Sequence, residues 1–265
     1  MRSNSFPFPA IKTPALAPSF TLSGRRALVT GSSQGIGYSL ARALAAAGAH
    51  VLLNGRDQAK LDRAVAEFRS AGLSAEAQAF DVTEETAVQA AAPSLGVIDI
   101  LVNNTGIQRR GPLATMPLGD WEAVLKTNLT SAFLMARAVA PGMIARRAGK
   151  IINICSLMSE LARPTTGNYA AAKGGLKMLT RAMCAEWAPH NLQVNGIAPG
   201  YILTDLTQPL ADDPKFDTWI KGRTPAGRWG SADDLTGACV FLASPAADFI
   251  NGQILTVDGG LSAVV

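Results

Sequence analysis

Apolar residues in this 265-residue chain follow two rhythms that alternate along most of its length. Short runs rich in aliphatic residues, RALVT at 26–30 and HVLLN at 50–54, are each followed by a stretch with apolar positions three and four apart. Those stretches cover about 35–47 and about 58–71. The runs AEAQAFD, IDILVNN, GKIINICS, LQVNGIAP and QILTVDGG supply further strand-like segments, and longer helical patterns span 121–145 and 170–187. Strands that alternate with helices predict one doubly wound α/β domain: a mostly parallel seven-stranded sheet with helices on both faces. Ligands of such sheets bind beyond the carboxyl ends of the strands. The chain carries no internal repeat, so the motifs below are expected to share one site.

Composition narrows the picture without redirecting it. At 48% hydrophobic the chain can bury a large core, and its apolar stretches are broken by charge or Gly before the roughly 18 residues of a membrane span. The formal charge of +4 is mild and no Lys/Arg block is present. A soluble protein with neither nucleic-acid nor membrane partners is therefore expected. Pro7, Pro9, Pro14 and Pro18 punctuate the start, which reads as a flexible extension over 1–22 preceding a folded domain over 23–265. Cys155, Cys184 and Cys239 are odd in number and far apart, which fits reduced thiols in the cytoplasm and suggests neither disulfides nor a metal site. Cys155, one residue before Ser156, reads as a buried strand-end thiol.

Directly after RALVT comes TGSSQGIG, where Gly31, Gly35 and Gly37 let the chain turn sharply and enter a helix. Without a Cβ, the backbone admits a pyrophosphate to the amides of the helix N-terminus, where the dipole favours negative charge. Ser33, Gln34 and Ile36 complete that turn. Glycines also build ordinary loops; the strand before and the Ala-rich helix after supply the context of a nucleotide site.

A second constellation centres on NYAAAKGG. Tyr169 and Lys173, four apart, share one face of a helix, and an ammonium there can stabilise a phenolate. A free phenol has a pKa of about 10, so Lys173 is expected to pull it down towards neutrality. Tyrosine and lysine share helix faces for packing and solubility too. Ser156 closes GKIINICS thirteen residues before Tyr169, and Asn128 lies in KTNLTSAF.

The spacing TGxxxGxG, the segment Asn103-Asn104-Thr105-Gly106 and the ordered set Asn128, Ser156, Tyr169 and Lys173 resemble the short-chain dehydrogenase/reductase family, with a Rossmann-type domain, from about residue 22 onward. The resemblance implies that Tyr169 exchanges the proton of a reacting hydroxyl while Ser156 holds that oxygen. It also implies that Lys173 bonds the coenzyme ribose and Asn128 positions a relay water. Asp81 with Val82 resembles the adenine-contacting segment, Asn104 and Gly106 belong to the NNAG-like segment, and Pro199, Gly200, Ile202 and Thr204 resemble the part that grips the carboxamide. Thr105 departs from the alanine of NNAG. Family members of this kind are commonly homotetramers; Met, Leu and Trp at helical spacing over 176–187 suit such a contact and suit core packing equally.

Where NAD-preferring members carry an acid at the end of the second strand, this chain has Gly55, followed by Arg56, whose guanidinium can fork onto a 2′-phosphate. NADP (NADPH) is therefore favoured over NAD. Asp57 competes for that place but precedes QAKL as a helix cap would, and Arg56 also suits a solvated turn. Asp81 suits a helix cap, and the Asn pair a closed turn.

The longer runs GIQRR (106–110), NICS with SEL after it, QVNGIAPGY and RTPAGRWG (223–230) are similar to a branch of the family that acts on polyhydroxy carboxylates. A sugar acid needs a cation for its anionic end, and Arg109 is the expected partner. Glu160 and Arg163, with Ser156 and Tyr169, are the expected contacts to the rest of the substrate. Adjacent arginines usually point apart, so one of Arg109 and Arg110 is expected to be solvated or paired. A ketoreductase of acyl thioesters or of another keto-sugar, and a non-catalytic NADP-sensing protein, are the competing functions.

Overall fold

The computed structural model describes residues 19–265. Seven strands, β1 (Arg26–Val29), β2 (His50–Gly55), β3 (Ala75–Ala79), β4 (Ile100–Asn103), β5 (Gly149–Ile154), β6 (Leu192–Pro199) and β7 (Ile254–Val257), form one sheet in the order β3-β2-β1-β4-β5-β6-β7. Every pairing is parallel, which sharpens the expected "mostly parallel". Six fall inside the strand-like runs of the sequence, and β2 runs one residue past HVLLN, to Gly55. β4 and β6 are buried along their whole length, and only the edge strands β3 and β7 carry exposed positions, as a sheet covered on both faces requires.

Alternation along the strands sorts the core into two layers. Val29, Val51, Leu53, Ile100 and Val102 face one side, packing on α1 (Gly35–Ala46) and α2 (Gln58–Ser70) through Leu40, Leu44, Leu61 and Phe68. Leu28, Leu52, Leu101, Ile151 and Val194 face the other, against Val88 of α3 (Glu85–Leu95), Met135 of α5 (Ser131–Arg146) and Met183 of α6 (Gly167–Trp187). Each fully buried Leu or Met contributes about 1.5–3 kcal/mol of transfer free energy. The remaining helices are α4 (Leu118–Leu125), α7 (Gln208–Ala211), α8 (Pro214–Arg223) and α9 (Thr236–Ala243). Cys239 and Leu242 of α9 join the first layer.

Three expectations change in detail. The helix expected over 121–145 is α4 and α5 joined by a π turn at Lys126–Thr130, whose wider spiral carries Asn128. α6 starts three residues before the expected 170. The boundary after residue 22 also moves: Leu22 is 1% exposed within the first core layer, its amide donates to the Ala47 carbonyl (2.8 Å), and Phe20 packs against Phe241. An apolar side chain beside an uncovered sheet end is drawn into the core. The expected extension over 1–18 lies outside the described residues.

Strand order reverses between β1 and β4, so the loops leaving these neighbours diverge and leave a crevice at the carboxyl edge. Among the described residues no helix is long and apolar enough to cross a membrane.

Candidate active site

The crevice is laced together from both banks. Thr30 Oγ1 accepts the amides of Asn104 (2.9 Å) and Thr105 (3.1 Å), and Asn104 Nδ2 donates to the carbonyls of Thr30 (2.9 Å) and Gly31 (3.0 Å). Gly31 turns with φ +61°, open to glycine. A Cβ on Gly37 would stand 2.4 Å from the Gly31 carbonyl oxygen and 2.5 Å from Asn104 Nδ2, so α1 approaches the turn as closely as it does only with glycine there. Gln34, at the N-cap of α1, makes no side-chain cap, and no acid stands in the first turn, so the first amides of α1 are left to a ligand anion. The structure thus brings together Gly31, Ser33, Gln34, Gly35, Ile36, Gly37, Asn104 and Gly106. Gln34 Nε2 also donates to Asp205 Oδ2 (3.2 Å), which joins the turn to the segment after β6.

At the end of β2, Arg56 is 80% exposed over its side chain, with Nη1 3.8 Å from Asp81 Oδ2. Ser33 Oγ lies 3.7 Å from the place a Gly55 Cβ would take, so this hydroxyl borders the end of β2. Asp57 caps α2 by accepting the Lys60 amide (3.0 Å), which removes it as a ribose partner. Asp81 lies two residues past β3 and accepts from the Thr83 amide and hydroxyl, while the α3 cap is Glu84. The Val82 side chain is 4% exposed within the second core layer, which leaves its backbone for a ligand. The Ile202 side chain is likewise in the core, pressed on Gly230, because its backbone pairs with that residue. Gly200 donates to the Val257 carbonyl and sits where a Cβ would strike Asp258, and the Thr204 amide is held by the Thr207 hydroxyl (2.9 Å). These contacts tie the segment starting at Pro199 to the end of β7.

Tyr169 and Lys173 project from the first two turns of α6 towards the ends of β5 and β6. Lys173 is 3% exposed; its Nζ donates to the Ile154 carbonyl (2.6 Å) and lies 5.7 Å from the centre of the Tyr169 ring. Burial pulls the Lys173 pKa down to about 8, and the neighbouring Cys155 thiol opposes that shift. The expected lowering of the phenol is not what the structure shows. Burial pushes Tyr169 above its ordinary value, a hydrogen bond with Ser156 opposes, and Cys155 adds to the rise. Tyr169 is only partly buried as a residue, but its side chain lies deep enough that desolvation is the largest cause of the shift. Cys155 itself is buried and pushed up by burial, matching the inert thiol expected.

Ser156 is held by a small turn: its Oγ accepts the Met158 amide (3.1 Å), and its own amide bonds Ser159 Oγ, which donates to the Lys173 carbonyl (2.9 Å). Ser159 thereby joins the Ser156 turn to α6. Asn128, 1% exposed, clamps the Ile107 peptide at both ends: Oδ1 accepts its amide (2.7 Å) and Nδ2 donates to its carbonyl (2.8 Å). Sequence reasoning passed over Ser159 and also Asn168, which is fully buried. Asn168 donates to the Arg109 carbonyl (2.9 Å) and accepts the Tyr169 amide (2.8 Å), so it docks the 107–111 loop onto the residue it precedes. Only the contact reveals them, since Ser and Asn are common beside turns.

Of the expected substrate contacts, Arg109 pairs its guanidinium with Asp120 (2.7 Å), an acid supplied by α4. Glu160 pairs with Lys177 of α6. Arg163 donates to Tyr201 Oη (3.3 Å) with its guanidinium 4.5 Å from the centre of the Phe216 ring. Arg110 is the unexpected member. Burial and the Arg163 charge hold its pKa below the ordinary value, with Tyr201 opposing, so two guanidinium groups share one neighbourhood. The adjacent pair Arg109-Arg110 was the available signal, with the two side chains parting as expected.

Residues 31–262 match a family model described as enoyl-(acyl carrier protein) reductase. The fold and this site define an oxidoreductase acting on CH–OH groups, and the chain belongs to the short-chain dehydrogenase/reductase family. It is 51% identical to gluconate 5-dehydrogenase of Gluconobacter oxydans over 247 residues, 92% of this chain and 96% of the other. It is 48% identical to 5-keto-D-gluconate 5-reductase of Escherichia coli K12, covering 93% of this chain and 98% of that one. A solved gluconate 5-dehydrogenase from Burkholderia cenocepacia, in complex with NADP and tartrate, superposes with a TM-score of 0.91 at 54% identity, covering 94% and 99% of the two chains.

The buried lysine makes stability depend on pH. Its pKa is about 8 when folded and near 10.5 when exposed, so between those values the unfolded chain holds the proton that the folded one has lost. Over that window wild type should gain stability relative to Lys173→Met as pH rises, with the penalty fully present below about pH 8. Urea midpoints of both proteins at pH 7 and pH 10 measure this; a constant difference would contradict the burial of the ammonium.

Proposed function

We propose that this protein is an NADP-dependent oxidoreductase that interconverts D-gluconate and 5-keto-D-gluconate, with Tyr169 as the general acid/base. The observation that carries the reading is the meeting of Ser156, Tyr169 and Lys173 at the carboxyl edge of the sheet beside the glycine turn, with the Lys173 ammonium 5.7 Å from the centre of the Tyr169 ring. The named relatives and the runs 106–110 and 223–230 support the substrate.

The residues present fit the coenzyme. The uncapped start of α1, with glycine at 31 and 37, suits a pyrophosphate, and Ser33 with Arg56 suits a 2′-phosphate beside Gly55. Bound there, NADP supplies or accepts the hydride. The chain's own groups handle the oxygen and its proton. Ser156 Oγ donates a hydrogen bond to the reacting oxygen and fixes it beside Tyr169. Tyr169, kept protonated by burial, is in the form that delivers a proton to a ketone oxygen as it is reduced. In the reverse direction it takes that proton, and Lys173, when charged, lowers the energy of the phenolate. Asn128 acts through the Ile107 peptide as a positioning residue. Arg110 and Arg163 receive the carboxylate, which relieves their mutual repulsion. The tartrate of the Burkholderia complex, a hydroxy-dicarboxylate, supports an anion subsite of this kind.

The same reading includes a cytoplasmic homotetramer of a folded domain that starts near residue 20, with Leu118, Phe133 and Met178 offered as exposed apolar residues of α4, α5 and α6.

Tyr169→Phe should retain NADPH binding and lose at least about a hundredfold in turnover, measured by coenzyme absorbance with 5-ketogluconate; unaltered turnover would refute the assigned role. A panel including an acetoacetyl thioester and other keto-sugar acids separates the competing substrates, and preference for the thioester would overturn the sugar-acid reading. Arg56→Ala should weaken NADPH about tenfold or more while leaving NADH nearly unchanged; equal losses would defeat the phosphate assignment. Arg110→Ala should raise KM for 5-ketogluconate by about 10–100-fold, the worth of a charge-assisted hydrogen bond, with a much smaller effect from Arg109→Ala. The reverse order would restore Arg109.

A further inference from the structure

We infer that Asn168 is a positioning residue that fixes Arg110, which receives the substrate carboxylate, at a set span from the proton donor Tyr169; this rests on the sugar-acid reading of the site. Asn168 is fully buried and both polar atoms of its side chain are engaged by protein, so it touches no substrate itself. Its Nδ2 donates to the carbonyls of Arg109 (2.9 Å) and Asp120 (3.4 Å), and its Oδ1 accepts the Tyr169 amide (2.8 Å). The Arg109 carbonyl shares a planar peptide group with the nitrogen of Arg110. The Asn168 bond therefore orients the peptide from which the Arg110 side chain departs.

The next peptide is held from the same quarter. The Gly111 amide donates to the Thr165 carbonyl (3.0 Å), so Arg110 stands between two peptides that are both bonded to the stretch leading into Tyr169. Thr165 adopts φ +69°, a left-handed conformation that a β-branched residue resists, and such strain persists only where the surroundings over-determine it. Thr166 locks this turn, its amide (3.3 Å) and its hydroxyl (2.8 Å) both donating to the Arg163 carbonyl. A Cβ on Gly167 would stand 2.4 Å from Leu113, so the segment that follows Arg110 lies directly on the start of α6. The stretch 163–169 thus carries Arg163 and Tyr169 and holds Arg110 by its backbone on either side. Carboxylate subsite and proton donor are mounted on one braced piece of chain, as a reaction that must choose one hydroxyl among several along a sugar acid requires.

Asn168→Ala removes both bonds, and Asn168→Ser keeps an acceptor near the Tyr169 amide but is too short for the Arg109 carbonyl. Each is made in wild type and in Arg110→Ala, and kcat and KM are measured for 5-ketogluconate and for NADPH by coenzyme absorbance. In the wild-type background both should raise KM for 5-ketogluconate about tenfold, the worth of a misplaced charge-assisted hydrogen bond, and leave KM for NADPH within about twofold. In the Arg110→Ala background they should change KM for 5-ketogluconate by less than about twofold, because the group they position is gone. Equal factors in the two backgrounds would overturn the inference. So would an unchanged KM for 5-ketogluconate in the wild-type background, or a KM for NADPH that rises in step with it. If the alanine variant does not fold, the serine variant decides; loss of folding in both would make Asn168 a framework residue and overturn the inference too. Arg110→Ala with an unchanged KM, or wild type that does not reduce 5-ketogluconate, would defeat the sugar-acid reading itself and the inference with it, an outcome distinct from these.

Discussion

The Thr30 hydroxyl, accepting two amides from the loop after β4, is the contact on which the site depends. Neighbouring parallel strands whose chains depart in opposite directions must part company at their carboxyl ends, and the gap they leave is unstable unless its banks are tied. Thr30 and Asn104 tie it with hydrogen bonds between side chains and backbone, so the walls keep their own peptide groups satisfied while the cavity remains open. Glycine at 31 and 37 is the other half of that constraint. A single Cβ at 37 would wedge the turn away from α1 and Asn104 together.

The same economy governs the reacting groups. A chain of short bonds runs from Ser156 through Ser159 to the Lys173 carbonyl, and from Asn168 to both Arg109 and Tyr169. The two ends of α6's first turns are thus anchored to loops from β4 and β5. The titrating atoms are left little freedom, which is how geometry, rather than a perturbed pKa alone, prepares proton transfer. The phenol is raised and the ammonium lowered, so each is biased by burial towards its neutral form. A residue pair read in isolation as a lysine acidifying a tyrosine is, in its folded surroundings, a pair of desolvated neutral-leaning groups.

Legibility differed sharply between layers of the structure. All seven strands were readable because strands buried on both faces must be nearly all apolar, whereas their order came from the tertiary structure. The glycine turn and the order of Asn128, Ser156, Tyr169 and Lys173 were readable because chemistry demands particular residues at particular separations. The substrate side was readable only in type. That one of two adjacent arginines would turn away followed from backbone geometry, but which one did not: Asp120, eleven positions from Arg109 in sequence, claims that guanidinium. The Glu160–Lys177 ion pair is likewise one that no local spacing announces.

What the chain alone determined, then, is the sheet and the glycine turn, which follow from period and backbone freedom, and the ordered set Asn128, Ser156, Tyr169 and Lys173, which a family resemblance picks out. Only the tertiary structure decided which charges are free to meet a ligand, which way burial moves Tyr169, and that Asn168 joins the Arg109 carbonyl to the Tyr169 amide. Desolvation and partner choice depend on atoms brought together from distant positions, and those meet only when the chain has folded.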